Sequence, residues 1–238
     1  MSQYSLGKKA TIEEIKKSNI KEVHLLTFSP EIKKICKEFN VPIKLHRNNN
    51  FFKNFSASNI DCVGELKKSF TLSDDFDSFI KNIECRNNNK SLILILDSIN
   101  DVGNFGSIIR SAKAFSVIDV IFKKDNQAQI NDTVIKNSMG AINSFNFLRV
   151  SNLANTIEKL KKLNYWIYCS TLSESIPIES LVVDNNKIAL IVGNETNGVS
   201  NLIQKISDYK IKITVEVESL NVSVATGILL FFLKNKSI

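Results

Sequence analysis

Histidine is almost missing from this chain: His24 and His46 are the only two in 238 residues. Nothing beyond position 46 can act as a histidine base or ligand. That argues against Ser-His-Asp hydrolysis or a histidine-based metal centre in the long C-terminal part. The four cysteines, Cys36, Cys62, Cys85 and Cys169, stand far apart with no C-x-x-C pair. Neither a zinc site nor a disulfide framework is indicated, no metal is expected, and a reduced, cytoplasmic protein is the default. Apolar runs are short as well. None approaches the roughly 18 residues of a membrane span. The C-terminal run 222–233 holds Ser, Thr and Gly, so it reads as a buried helix rather than a membrane segment. The N-terminal M-S-Q-Y-S-L-G-K-K has no long apolar core, so no secretory signal is expected. The segment 193–198 has the two glycines of a P-loop. Val199 and Ser200 stand where Lys and Ser/Thr would hold phosphates, which excludes that NTPase motif.

What the chain does contain is apolar material, 43% of its residues, enough for one large domain or two small ones. Positive charge is concentrated at the front. Residues 1–70 hold 13 Lys+Arg against 7 Asp+Glu, whereas the rest hold 18 against 17. A basic front on a nearly neutral body fits a polyanion partner, nucleic acid first, and fits equally a solvated lysine-rich surface. Strand and helix patterns alternate in the front segment, giving a small α/β unit over 1–70. Residues 71–90 change character: phenylalanines among acids, then the polar run 86–90. They read as a linker with one short helix over 76–83. From 91 to 238 apolar strand-like runs such as 92–96 alternate with helical spacings such as 106–115 and 153–163. That alternation predicts a parallel sheet with helices on both faces. No internal repeat is present.

Ligands of open parallel sheets sit at the C-terminal ends of strands. Three loops predicted there carry polar residues: Asn104 and Arg110 after the first strand, Glu195 after a later one, and Ser219 and Asn221 before the last helix. Ser219, Asn221 and Ser223 stand where that helix is entered, and Ser and Asn cap free backbone N–H groups there. Each loop taken singly is also explained as an ordinary turn or cap.

Taken together the three stretches resemble the motifs of the SpoU (TrmH-like) family of the SPOUT superfamily of RNA methyltransferases. Asp101, Asn104, Gly106, Arg110 and Ala112 match D-x-x-N-x-G-x-x-x-R-x-A. Gly193, Glu195 and Gly198 match G-x-E-x-x-G, and 219–225 is S-L-N-V-S-V-A complete. The front segment resembles, less closely, the RNA-binding domain of the ribosomal RNA guanosine-2′-O-methyltransferases. The resemblance implies a deep trefoil knot in the C-terminal part, and a homodimer through the knot and the C-terminal helix. It also implies S-adenosyl-L-methionine as cofactor and RNA as partner, ribosomal RNA before transfer RNA. Asn104, Arg110, Glu195, Ser219 and Asn221 would be catalytic, and Thr171, Gly193, Ile213 and Leu220 would bind the cofactor. Arginine is a poor base, so Arg110 is expected to stabilise a developing alkoxide. Two features depart from the family: residues 213–218 form a shorter loop without Pro or Gly, and Val102 replaces a common Pro. A transfer RNA substrate and a non-catalytic RNA-binding protein are the alternatives.

Overall fold

The computed structural model describes residues 4–86 and 90–237, without the side chain of Ser237. The expectations for the extreme N-terminus, 1–3, and for 87–89 of the polar run lie outside the described residues. The chain forms two compact units, residues 1–70 with 130–144, and residues 71–129 with 145–238.

The first unit starts with β1 (Tyr4–Leu6), α1 (Lys8–Lys16), β2 (Ile20–Leu25), α2 (Pro30–Glu38), β3 (Ile43–Leu45) and β4 (Cys62–Leu66). The strands form one sheet in the order β1-β4-β2-β3, antiparallel except for the β2–β3 pair. Ser29 caps α2 and Pro30 occupies its first turn, as the sequence pattern predicts. Ile15 of α1 and Ile32 and Cys36 of α2 pack on Ile20, Val23, Leu25, Cys62 and Leu66. The strand β1 was not foreseen, because three residues carry no readable period.

The second unit begins with β5 (Thr71–Ser73), α3 (Phe76–Glu84), β6 (Ser91–Asp97), α4 (Val102–Ala114) and β7 (Asp119–Lys123). The segment α5 (Asp132–Asn137) belongs to the first unit. There Asp132 accepts hydrogen bonds from the Ser56 backbone N–H at 2.7 Å and from the Ser56 hydroxyl at 3.0 Å. The second unit resumes with β8 (Asn146–Val150), α6 (Leu153–Lys162), β9 (Trp166–Ser170), β10 (Ile176–Pro177) and β11 (Lys187–Gly193). It ends with α7 (Asn201–Ile206), β12 (Tyr209–Lys212) and α8 (Val222–Ser237). Eight strands form a wholly parallel sheet in the order β10-β12-β9-β11-β6-β7-β8-β5. The α/β class and the parallel sheet agree with the expectation.

Strand β6 is buried along its whole length, which is why it reads as a continuous apolar run. On one face Ile93, Ile95, Ala189 and Ile191 meet Phe79 of α3, Ile157 of α6 and Ile203 of α7. Helices α4 and α8 pack on each other, and α8 lies against β11. No helix among the described residues is long and apolar enough to cross a membrane.

Residues 71–90 are a correction. Thr71–Ser73 pairs with β8, and Phe79, Ile80 and Ile83 of α3 are buried in the core, so residues 71–84 are part of the second unit. Two acids of this stretch have structural partners: Asp75 caps α3 through the Ser78 N–H at 2.8 Å, and Asp74 accepts from Arg149 Nε at 2.9 Å. A linker-like composition therefore arose from caps and ion pairs placed between core phenylalanines.

Candidate functional site

Strands β6 and β11 are neighbours in parallel register, with Gly193 paired to Asp97. Their C-terminal ends therefore open side by side, and the loops that follow must meet. In the first, Asp101 caps α4 by accepting from the Asn104 N–H at 2.6 Å, which places Asn104 in the opening turn. In the second, Asn194 turns the chain: its Oδ1 accepts from Thr196 N at 3.0 Å and Asn197 N at 2.6 Å. A Cβ on Gly193 would overlap the Gly198 carbonyl and the Val199 amide, so only glycine permits this close return. In the third, Asn221 caps α8 by accepting from Ser223 N at 3.0 Å.

Asn221 also joins the three loops. Its Nδ2 donates to Asn104 Oδ1 at 3.0 Å and to Glu195 Oε1 at 2.5 Å. Glu195 Oε1 accepts in addition from the Val222 N–H at 3.3 Å, a carboxylate at a helix N-terminus, where the dipole favours it. Three residues widely separated in the chain thus meet.

Beside them lies a cavity of about 770 Å³, lined by Thr171, Gly193, Glu195, Ile213, Ser219 and Leu220 among others. That volume is within the roughly 300–1,000 Å³ usual for small-molecule sites. All four expected cofactor-site residues line it. The short loop after β12 reaches it through Ile213 and Val215. Thr171 is anchored by donating to Gln204 Oε1 at 3.2 Å, while Gln204 Nε2 donates to the Val199 carbonyl at 2.6 Å.

Two expected residues stand apart from the hydrogen-bonded trio. Arg110 is exposed on α4 and makes no hydrogen bond or ion pair to another described residue. Ser219 lines the cavity but shares no hydrogen bond with Asn104, Glu195 or Asn221 among the described residues.

Sequence reasoning missed the residues that hold these loops. Asp97, the last residue of β6, is buried. Its Oδ1 accepts from Lys123 Nζ at 3.0 Å and its Oδ2 from the Ser200 N–H at 2.9 Å, tying the ends of β6 and β7 to the chain after the glycine loop. Burial pushes the Asp97 carboxyl up, but the Ser200 N–H and Lys123 outweigh it and hold it below the usual carboxylate value. Gln127 similarly clamps Ile99, accepting from its N–H and donating to its carbonyl, both at 2.8 Å. A charged residue closing an apolar run was the one available signal for Asp97.

Comparison with known proteins shows the family and the fold. The family model described as "SpoU rRNA Methylase family" matches residues 91–231. An uncharacterized tRNA/rRNA methyltransferase of Mycoplasma genitalium is 41% identical over 190 residues, covering 79% of this chain and 76% of the relative. The 23S rRNA (guanosine-2′-O-)-methyltransferase RlmB of Blochmanniella floridana is 36% identical, covering 75% of this chain and 70% of its own. Among solved structures, the SpoU methyltransferase AviRb of Streptomyces viridochromogenes in complex with AdoMet has a TM-score of 0.70 at 17% identity. That match covers 98% of this chain and 89% of AviRb, a likeness of fold.

Proposed function

The chain belongs to the SpoU rRNA methylase family, and from that premise we propose that it methylates a ribose 2′-hydroxyl of RNA, favouring a guanosine of large-subunit ribosomal RNA. It is an S-adenosyl-L-methionine-dependent RNA methyltransferase by family; the 2′-oxygen and the ribosomal target are the finer reading. The observation that carries it is the meeting of Asn104, Glu195 and Asn221 beside the cavity.

S-adenosyl-L-methionine, when bound, supplies an electrophilic methyl group on sulfonium. The cavity fits it: Gly193 lines it at the tight return of the loop, and apolar Ile213 and Leu220 stand with the polar Thr171 around it. Those four residues would hold it. The chain's catalytic contribution is then orientation, which can lower a barrier by about 7–11 kcal/mol. Asn104, Glu195 and Asn221 brace one another and so present their polar atoms without reorganisation. Arg110, whose guanidinium carries only donors, would donate hydrogen bonds to the ribose 2′-oxygen as negative charge develops there. With no partner among the described residues, its donors are available to substrate.

The proposal extends to the wider assembly. Residues 1–70 would contribute RNA affinity, supported by their 13 Lys+Arg against 7 Asp+Glu. A knotted C-terminal segment and a homodimer through it and α8 are included; the dimer is supported by Val224, Ile228 and Phe231, an exposed apolar stripe on α8. Location in the cytoplasm follows from a ribosomal substrate. Transfer RNA is the second reading, since the Mycoplasma genitalium relative is described as a tRNA/rRNA methyltransferase. The test is to map 2′-O-methyl groups in RNA from a strain lacking the gene. One missing group in large-subunit ribosomal RNA is expected; a group missing only from transfer RNA selects the second reading. If purified protein binds RNA but transfers no methyl group to either, the catalytic assignment is wrong.

A further inference from the structure

Strand β2 contains an irregularity with chemical consequences. Ile20 pairs with Leu66 of β4, and the next pair is Glu22 with Glu65, so Lys21 is an extra residue in the ladder. In a regular ladder Glu22 would stand opposite Gly64. The bulge shifts the register by one residue, and such a shift moves every later side chain to the other face. It therefore sets two glutamates directly across from each other, an arrangement that is destabilising for like charges. It also puts His24, two residues along the same strand, on the face of the two carboxylates.

We propose that Glu22, His24 and Glu65 form a binding site for a divalent transition-metal ion. One ligand atom from each residue lies within 4.8 Å of the others. His24 Nε2 is 3.4 Å from Glu22 Oε2, close to the roughly 3.3 Å edge of a tetrahedron built on bonds of about 2.0–2.1 Å. No hydrogen bond joins that nitrogen to a described residue, although the His24 side chain is only 7% exposed. The opposite nitrogen, Nδ1, is 3.0 Å from His46 Nε2. A second partner of this kind fixes the tautomer and aim of a ligating imidazole. Phe51 stacks on both rings, with centroids 4.3 Å from His24 and 4.7 Å from His46.

Charge points the same way. Lys21 Nζ reaches Glu65 Oε1 at 3.2 Å, but its side chain is half-exposed and it offsets only one of the two carboxylates. An imidazole with two carboxylates suits Zn²⁺, Fe²⁺ or Mn²⁺ over Mg²⁺ or Ca²⁺, and three protein ligands leave a position for water. Bound there, the ion would clamp β2 to β4. The inference stands independently of methyl transfer.

The test uses full-length protein stripped with EDTA and carrying Cys85→Ser, which removes the exposed thiol. Calorimetric titration with ZnCl₂ should show one ion per chain. Glu22→Gln and Glu65→Gln should each weaken binding at least ten-fold, and His46→Phe by about 10–100-fold. The carboxylates are partly exposed, and removing one of two opposed charges should leave the metal-free melting temperature unchanged or higher. Zn²⁺ should then raise the melting temperature of the parent but not of the Glu variants. In the parent, Co²⁺ should give weak d–d bands without a thiolate charge-transfer band. No saturable one-to-one binding, or equal affinity in both Glu variants, overturns the site; a Co²⁺ thiolate band would assign any bound metal to cysteine instead.

Discussion

Asp97 links the ends of β6 and β7 to the loop that follows β11, and it does so from a buried position. Replacing it by Asn removes the charge that Lys123 faces. Breaking a buried ion pair costs about 3–5 kcal/mol; Lys123 is a quarter exposed, so about 2–3 kcal/mol is expected from chemical denaturation. The folded carboxyl titrates below its ordinary value, so its contribution is present above the unfolded pKa of about 4 and fades as pH falls through the folded one. Asp97→Asn should therefore flatten the loss of stability below about pH 4. Arg110 has the opposite character: exposed and without a partner among the described residues, it can be changed while packing is kept. Arg110→Ala should keep the melting temperature and cofactor affinity while lowering methyl transfer by at least about 100–1,000-fold, the usual effect of losing one charge-stabilising donor. Near-normal turnover would remove Arg110 from the site. Burial pushes the thiols of Cys36, Cys62 and Cys169 up to about 11, 12 and 12 respectively, whereas Cys85 is exposed. Native protein should accordingly show one rapidly reacting thiol, absent from Cys85→Ser.

At the scale of elements, α8 has two jobs. Its first turn is held by Asn221 and Glu195, and its body packs on α4, where Phe231 meets Phe115 edge-on at 6.0 Å. Gly227 sits inside the helix, and a Cβ there would make ordinary contact with Ser111 at 3.8 Å. Glycine inside a helix costs about 0.5–1 kcal/mol relative to alanine, so Gly227→Ala should stabilise the protein by that amount in thermal melts. A decrease would mean that α4 and α8 approach too closely for a methyl group. Two caps were legible beforehand: Ser29 and Asn221 each precede a helix. The strands β1, β5 and β10 were not, since two or three residues show no period and exist only because a neighbour pairs with them. The helix α4 starts at Val102, earlier than the apolar spacing indicated, because the Asp101 cap rather than hydrophobic contact begins it.

For the whole molecule, the exposed stripe Val224, Ile228 and Phe231 lies on one face of α8. Light scattering at micromolar concentration should report a dimer, and Ile228→Glu with Phe231→Glu should convert it to a monomer. The front segment should carry RNA affinity. Deleting 1–70 is a poor test, because its compact unit includes 130–144 and would lose Ser56, the partner of Asp132. Reversing the exposed Lys44 and Arg47 to Glu is better. RNA binding should weaken, with a salt slope lower by about 0.7–0.9 for each phosphate no longer neutralised, while cofactor affinity stays within a few fold. An unchanged slope would move the RNA surface elsewhere.

The α/β class, the parallel alternation, most helices and the three polar loops are legible in the chain without its fold. Those properties are written in neighbouring residues, as caps, periods and apolar runs. Tertiary structure alone decided which loops meet. Asn104, Glu195 and Asn221 touch because β6 and β11 are adjacent in register, a fact of strand order that no local pattern contains. It alone decided that residues 71–84 belong to a core and that 130–144 complete the first unit. It also brought Glu22 opposite Glu65, through one extra residue in a strand whose own sequence looks regular. Side chains distant in sequence acquire a common chemistry only when the pairing register places them on one face.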